Sequence, residues 1–235
     1  MVIYKTLETT ETNISEQDII KNKLFNVFVF SLPRSGSSMM SSIVETLGVK
    51  MIYTSDTEEA LKKRNEKERK RYGDNYQMNR NGFFEITKDV WKHYFEIMST
   101  PFSGCKMIIP VTKERLNVVY FNPCAKVIMM WRDPEEMRQS QQASYNGNKG
   151  TTEEKAENER AIIRAKLINQ KLQLENKRID TINIQYQDVL LKPKEEVRKV
   201  ANFIGVTDKE KIIKAFLCVK PKENRFKKEE LVEGI

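Results

Sequence analysis

Short apolar runs alternate with amphipathic segments along the chain, a pattern typical of α/β proteins. Phe25–Phe30 is apolar on both faces apart from Asn26, as expected of a central parallel strand. Lys106–Pro110 and Lys126–Trp131 predict two further buried strands, and the alternating Thr181–Tyr186 predicts another. Because helical segments separate these runs, we predict a three-layer α/β/α fold around a mostly parallel sheet.

Capping residues mark several of the helices. Met39–Leu47 is followed by Gly48, a typical helix stop. Thr151 and Glu154 form a capping-box pattern that begins a long helix reaching about Lys177. Its predicted apolar face carries Ala161, Ala165, Ile168 and Leu172. Further helices are predicted at 15–23, 60–72, 83–98, from 134 onward, at 194–204 and from 207 onward.

Length and composition favour one domain without a membrane span. The 235 residues fit a single domain, residues 1–235, with a helical insertion at 54–100 and a C-terminal helix and basic tail at 207–235. No apolar stretch approaches the roughly 20 residues that a membrane helix needs. The opening residues lack the apolar core of a secretory signal, and three scattered cysteines fit a reducing compartment. We therefore expect a cytoplasmic protein.

Composition excludes several kinds of chemistry. One histidine and three cysteines without metal-ligand spacing exclude a zinc site, and His93 alone could serve a Ser-His-Asp triad. Lysine and arginine number 41 against 33 acidic residues, a net charge of +8 that suits an anionic partner. Charge alone leaves a nucleotide, a sulfated or phosphorylated substrate and nucleic acid open.

The segment after the first strand, SLPRSGSS, has the composition of an anion-binding loop. Gly36 permits a tight turn, and the first amides of the following helix favour negative charge. Arg34 adds a guanidinium that matches a phosphate, and serine hydroxyls add donors. The loop lacks the second glycine and the Lys-Ser/Thr of a Walker A loop, and with them the usual magnesium-holding residue. The predicted phosphate contacts are Pro33, Arg34, Ser35, Gly36, Ser37 and Ser38.

A second anion-binding element follows the Lys126–Trp131 strand. Arg132 leaves the strand, Pro134 begins a helix, and Ser140 lies two turns along it. An arginine and a serine so placed could hold a second phosphate. The alternative is an ordinary strand-to-helix connection capped by Asp133.

Together, the two elements resemble the sulfotransferase family that uses 3′-phosphoadenosine 5′-phosphosulfate (PAPS). Phe30–Ser38 is similar to the family's loop for the 5′-phosphosulfate, and Arg132-Asp133-Pro134 with Ser140 is similar to its 3′-phosphate element. Gln185–Leu190, Pro193 and Phe203–Val206 resemble its later strand and helix. The resemblance covers about residues 25–206 and implies a P-loop NTPase-like fold. Many members have lysine in place of Arg34, and the family's C-terminal RKG signature is absent, so Arg225 is a weak match.

The resemblance implies transfer of a sulfuryl group from PAPS to a hydroxyl or amine, without a metal ion. The acceptor would be a small molecule, glycan or peptide, and the basic run Lys62–Arg71 would suit an acidic one unless it is a solvated helix face. Arg34 would stabilise charge on the leaving oxygen. Glu85, in a segment resembling the substrate side of bacterial-type members, is the first candidate base, and His93 is the second.

Three other functions stay open at this point. A P-loop kinase with a degenerate loop would need magnesium and ATP. A non-enzymatic anion-binding protein would include a nucleic-acid binder, although the usual nucleic-acid motifs are absent and no nucleic acid is expected. A catalytically silent PAPS-binding relative is also open, and the sequence does not indicate an oligomeric state.

Overall fold

The computed structural model describes residues 24–53, 90–108, 113–122, 124–145 and 152–219, together with Glu66 and Ile86. Within these residues, five strands form one sheet in the order β2-β3-β1-β4-β5. Every neighbouring pair is parallel. The strands are β1 (Asn26–Ser31), β2 (Lys50–Met51), β3 (Ser103–Ile108), β4 (Ala125–Trp131) and β5 (Asp180–Gln185).

Helices follow or connect these strands. In chain order the described helices are α1 (Ser37–Thr46), α2 (Val90–Ser99), α3 (Lys113–Tyr120), α4 (Pro134–Tyr145), α5 (Glu153–Asn176), α6 (Tyr186–Leu191), α7 (Pro193–Phe203) and α8 (Lys209–Phe216). None of these helices combines the length and the apolar character that crossing a bilayer requires.

The sheet separates two hydrophobic layers, and alternate residues of β1 contribute to each. Val27 and Val29 pack with side chains of α1, α7 and α8. Phe28 and Phe30 pack with side chains of α2, α3, α4 and α5. Because β1 is the middle strand, both of its faces are buried, and its apolar run follows from this position. The predicted three-layer α/β/α fold with a parallel central sheet is confirmed.

Most predicted strands agree with the structure, but β3 begins three residues earlier than predicted. Gly104 lies beside Val27 in the register, so close that a Cβ added at Gly104 would lie 1.7 Å from the Val27 carbonyl oxygen. The predicted strand began after this glycine, whose missing side chain permits the close strand pairing. The short β2 and the helix α3 were not predicted.

The helix predicted over 83–98 agrees with α2 from residue 90 onward, and its residues 83–85 and 87–89 lie outside the described residues. Ile86 is buried but not helical, and α2 begins at Val90. Predictions for 15–23, and for 54–82 apart from Glu66, lie outside the described residues.

The predicted apolar face of α5 is wrong. Ile168 and Leu172 are 51% and 50% exposed, and Ala161 and Ala165 are also exposed. The helix carries two apolar stripes, and the stripe that packs against α4 and β5 is the buried one. Its buried residues are Ala156, Ile163, Leu167, Gln170 and Leu174. The helix cap is also one residue later than predicted, because the Thr152 side chain accepts the Lys155 N–H.

Gly104→Ala should destabilise the protein by more than about 3 kcal/mol, because the added methyl group meets backbone at the centre of the sheet. Gly48→Ala is the comparison variant. Its φ of +104° is strained for alanine, but the nearest atom to the added Cβ is the mobile Lys211 Nζ at 3.1 Å. We expect that variant to lose only about 1–2 kcal/mol. Urea unfolding measures both, and equal losses would contradict the close packing at Gly104.

Candidate functional site

The turn between β1 and α1 lies where β1, β3, β4 and β5 end at one edge of the sheet. We call residues 33–38 the anion loop. Arg34 and Gly36 have left-handed backbones, with φ of 70° and 85°. The first amides of α1 have no intrahelical acceptor, as in any helix, and its N-cap residue Gly36 has no side chain that could accept them. The loop therefore has the backbone arrangement that binds anions at helix N-termini.

The three serines of the anion loop differ in what they can offer a ligand. Ser35 is fully buried, and its hydroxyl donates to the Leu32 carbonyl at 2.7 Å. The predicted role of Ser35 as a donor to the ligand does not fit this contact, because the proton is already used inside the loop. Ser37 and Ser38 belong to the first turn of α1, beside its unsatisfied amides.

The anion loop is in direct contact with the second predicted element. The Arg34 Nε donates to Ser140 Oγ at 3.1 Å, and the Arg132 Nη1 donates to the Arg34 carbonyl at 2.8 Å. Gln141 of α4 also donates to the Pro33 carbonyl, at 3.2 Å. The two clusters that the sequence separates by about a hundred residues are thus adjacent.

Tyr186, at the start of α6, covers this contact. Its ring lies 4.4 Å from the Arg132 Cζ, a cation–π arrangement. The same ring would lie 2.3 Å from a Cβ added at Gly36. Gly36 is therefore required both by its left-handed backbone and by the close approach of Tyr186.

Lys106 is a site residue that the sequence analysis missed. Its side chain is buried within β3, and its Nζ lies 3.3 Å from Ser38 Oγ. Lys106 is the first residue of the strand predicted over 106–110, and a lysine is common at the beginning of a strand. A lysine inside an otherwise apolar, central strand would have been the signal.

The other predicted site residues lie elsewhere. His93 is on α2, where its Nδ1 is 3.7 Å from Glu96 Oε2, beyond hydrogen-bond distance. Glu96 in turn accepts from Lys50 at 2.9 Å, a hydrogen bond that lowers the pKa of Glu96. No contact between His93 and the anion loop is recorded in the described part of the chain. Glu85 and Arg225 lie outside the described residues.

An ionic network holds α4, which carries Ser140, against α5. Glu135 accepts hydrogen bonds from Arg138, Arg160 and Gln139. These contacts, those of Arg138 first, lower the pKa of Glu135 from 4.5 to about 2. Arg160 also pairs with Glu153 and Glu157 of its own helix.

The comparisons with known proteins identify the family. The model of the sulfotransferase domain matches residues 25–235, which is most of the chain and includes both anion-binding elements. The chain therefore belongs to the sulfotransferase domain family, and the family predicted from the sequence is confirmed. No curated protein matches the chain significantly.

Solved structures with a similar fold include several sulfotransferases. Mouse sulfotransferase SULT7A1 complexed with PAP is 15% identical, with a TM-score of 0.49, 87% of this chain covered and 69% of that one. Sulfotransferase STF1 from Mycobacterium tuberculosis H37Rv is 12% identical, with a TM-score of 0.49 and coverage of 82% and 70%. Retinol dehydratase in complex with androsterone and inactive cofactor PAP is 16% identical, with a TM-score of 0.45. The match covers 85% of this chain and 66% of retinol dehydratase, slightly under two thirds of its length.

The network around Glu135 predicts how stability changes with pH. Because its pKa is lower in the folded protein, its stabilising effect is present above about pH 4.5 and is lost as the pH falls towards about 2. Glu135→Gln should therefore be less stable than the unchanged protein at pH 7, and the difference should shrink across that window. Urea unfolding from pH 7 to pH 2.5 measures it.

Glu175→Gln is the matched control for this experiment. Glu175 forms an exposed pair with Lys171 at 3.5 Å on the same helix, and its loss should change stability little at any pH. A stability difference for Glu135→Gln that stays constant from pH 7 to pH 2.5 would contradict the assigned pKa.

Proposed function

We propose that this chain transfers a sulfuryl group from PAPS to a hydroxyl or amine, leaving adenosine 3′,5′-bisphosphate (PAP). The observation that carries the proposal is the direct contact of the anion loop with Arg132 and Ser140. PAP carries its two phosphates on one ribose, so a protein that binds it needs two adjacent anion sites. Membership of the sulfotransferase domain family supports the same activity.

We propose that each of the two phosphates binds to one of the two anion-binding elements. The anion loop, with the first amides of α1, Arg34, Ser37 and Ser38, would hold the 5′-phosphosulfate. Arg132 and Ser140 would hold the 3′-phosphate. Arg225 remains a proposed contact from the C-terminal tail.

The charges of the described side chains fit such a ligand. Lys106 and Arg132 are buried cations, and burying a cation is unfavourable unless an anion accompanies it. Glu136 partly balances Arg132, with 3.1 Å between Arg132 Nε and Glu136 Oε2. Arg34 and Lys106 place further positive charge at the anion loop, where the phosphosulfate would bind.

In the transfer step, PAPS supplies an activated sulfuryl group and a phosphate leaving group. The acceptor oxygen or nitrogen forms a bond to sulfur while the bond from sulfur to the bridging oxygen breaks, and that electron pair stays on the 5′-phosphate. Arg34 and Lys106, with the amides of α1, stabilise the charge that develops there. The acceptor proton passes to a base, for which Glu85 is our first candidate and His93 our second.

The class of acceptor and the cellular location are also parts of the proposal. We infer an acceptor that is a small molecule, a glycan or a peptide, reached from the 54–100 side of a single domain spanning 1–235. A cytoplasmic location fits the three cysteines, none of which forms a disulfide. The family match favours sulfuryl transfer over the kinase and nucleic-acid-binding alternatives.

Arg34→Ala should abolish transfer, because it removes the positive charge at the leaving oxygen and the hydrogen bond to Ser140. Transfer is measured with labelled PAPS and a panel of hydroxyl and amine acceptors, with a chelator present to exclude magnesium-dependent kinases. Arg178→Ala is the matched control, because Arg178 is an exposed arginine that also has a left-handed backbone, with φ of 55°.

Nucleotide binding is tested separately from acceptor choice. PAP at about 100 times its dissociation constant should stabilise the unchanged protein by roughly 2.7 kcal/mol. Unchanged unfolding in saturating PAP would overturn the proposed function, whatever the acceptor panel gives.

Glu85→Gln should lower kcat by at least about a hundredfold while PAP affinity stays the same, as expected when a general base is removed. His93→Gln should change kcat little, since its recorded contact is with Glu96. The reverse outcome would assign the base to His93. Full turnover in both variants would show that neither residue is the base.

A further inference from the structure

Arg132 is held from three sides. Its side chain is 7% exposed, its Nε donates to Glu136 Oε2 at 3.1 Å, and its Nη1 donates to the Arg34 carbonyl at 2.8 Å. The Tyr186 ring packs against its face at 4.4 Å. Within the described residues, no acceptor is recorded for Nη2, so that end of the guanidinium remains for a ligand.

Glu136 is itself fixed at the beginning of α4. Asp133 caps this helix, and its Oδ1 accepts the N–H of Glu135 at 2.9 Å and that of Glu136 at 3.1 Å. The Glu136 side chain is only 12% exposed. A buried carboxylate needs several hydrogen bonds, because one ion pair does not satisfy both of its oxygens.

Gln187 supplies the further hydrogen bonds. Its Nε2 donates to both carboxylate oxygens of Glu136. Gln187 is the second residue of α6, which begins immediately after β5, whereas Arg132 follows the neighbouring β4. Trp131 pairs with Gln185 in the register of the two strands. The end of β5 thus contacts the end of β4 through Glu136.

The hydrogen bonds from Gln187 limit the number of Arg132 N–H groups that donate to the Glu136 carboxylate. A carboxylate beside a guanidinium favours a bidentate pair that uses two N–H groups. Because Gln187 occupies the carboxylate, Glu136 accepts from Arg132 through Nε alone. Without Gln187, the carboxylate could turn and accept from Nη2 as well, in competition with a phosphate.

We propose that Glu136 and Gln187 are positioning residues that set the preference of this chain for nucleotides carrying a 3′-phosphate. Neither residue touches the nucleotide. Gln187 holds the Glu136 carboxylate, and Glu136 holds the Arg132 guanidinium with its Nη2 left for the 3′-phosphate. The proposal rests on the proposed function, since it assumes that Arg132 binds this phosphate.

The test uses Gln187→Met, which keeps the length of the side chain and removes its donor. The readout is the ratio of the dissociation constants of 5′-AMP and PAP, measured by calorimetry on the full chain. We expect PAP to bind about tenfold more weakly, the effect of losing about one hydrogen bond to a charged group, while 5′-AMP affinity stays within about twofold. Gln185→Met, at an exposed glutamine two residues earlier, is the matched control and should leave the ratio unchanged.

A double-mutant cycle tests whether Gln187 acts through Arg132. In an Arg132→Ala background, Gln187→Met should no longer change the ratio, because the group it positions is gone. Glu136→Asp should reproduce the loss of preference, since the shorter carboxylate cannot reach Arg132 and Gln187 together. If Gln187→Met does not fold, the ratio measured for Glu136→Asp tests the inference instead.

Three results would overturn the inference: an unchanged ratio in Gln187→Met, equal weakening of both nucleotides, or an effect that persists in the Arg132→Ala background. Failure of the proposed function is distinguishable from these, because the unchanged protein would then bind neither nucleotide, and the inference would fall with it.

Discussion

The candidate site depends on the hydrogen bond from Arg132 to the Arg34 carbonyl, accompanied by the bond from Arg34 to Ser140. These contacts join the segment that follows β1 to the segment that follows β4. They are possible because β1 and β4 are parallel neighbours, with Phe30 paired to Met129, so that both chains leave the sheet at the same edge. A different strand order would separate the two anion-binding elements.

Buried positive charge is the second constraint on this region. Lys106 and Arg132 lie among apolar strands, where an unpaired cation is strongly unfavourable. The structure balances Arg132 with Glu136 and brings Lys106 to Ser38, next to the unsatisfied amides of α1. Among the described residues, this edge brings Arg34, Lys106 and Arg132 together with the amide donors of α1, which is the electrostatic condition for binding a polyanion such as a bisphosphate nucleotide.

The sequence predicted β1, β4, β5 and the turn before α1 because these segments have local signals. Apolar runs marked β1 and β4, and the glycine and serines after β1 marked the beginning of α1. Lys106 and Gln187 were missed because their importance comes from partners far away in the chain, Ser38 and Glu136, which the strand register brings together. The buried face of α5 was assigned wrongly for a related reason. Two apolar stripes with helical spacing look equivalent in the sequence. Packing against the neighbouring elements determines which of the two stripes is buried.

The most direct test of the account is a crystal structure of the protein with PAP. The account predicts the 5′-phosphate at the amides that begin α1, with Arg34 beside it, and the 3′-phosphate on Arg132 and Ser140. One nucleotide would then bridge the ends of β1 and β4. PAP bound away from this edge, or bound with only one of its phosphates at these residues, would contradict it.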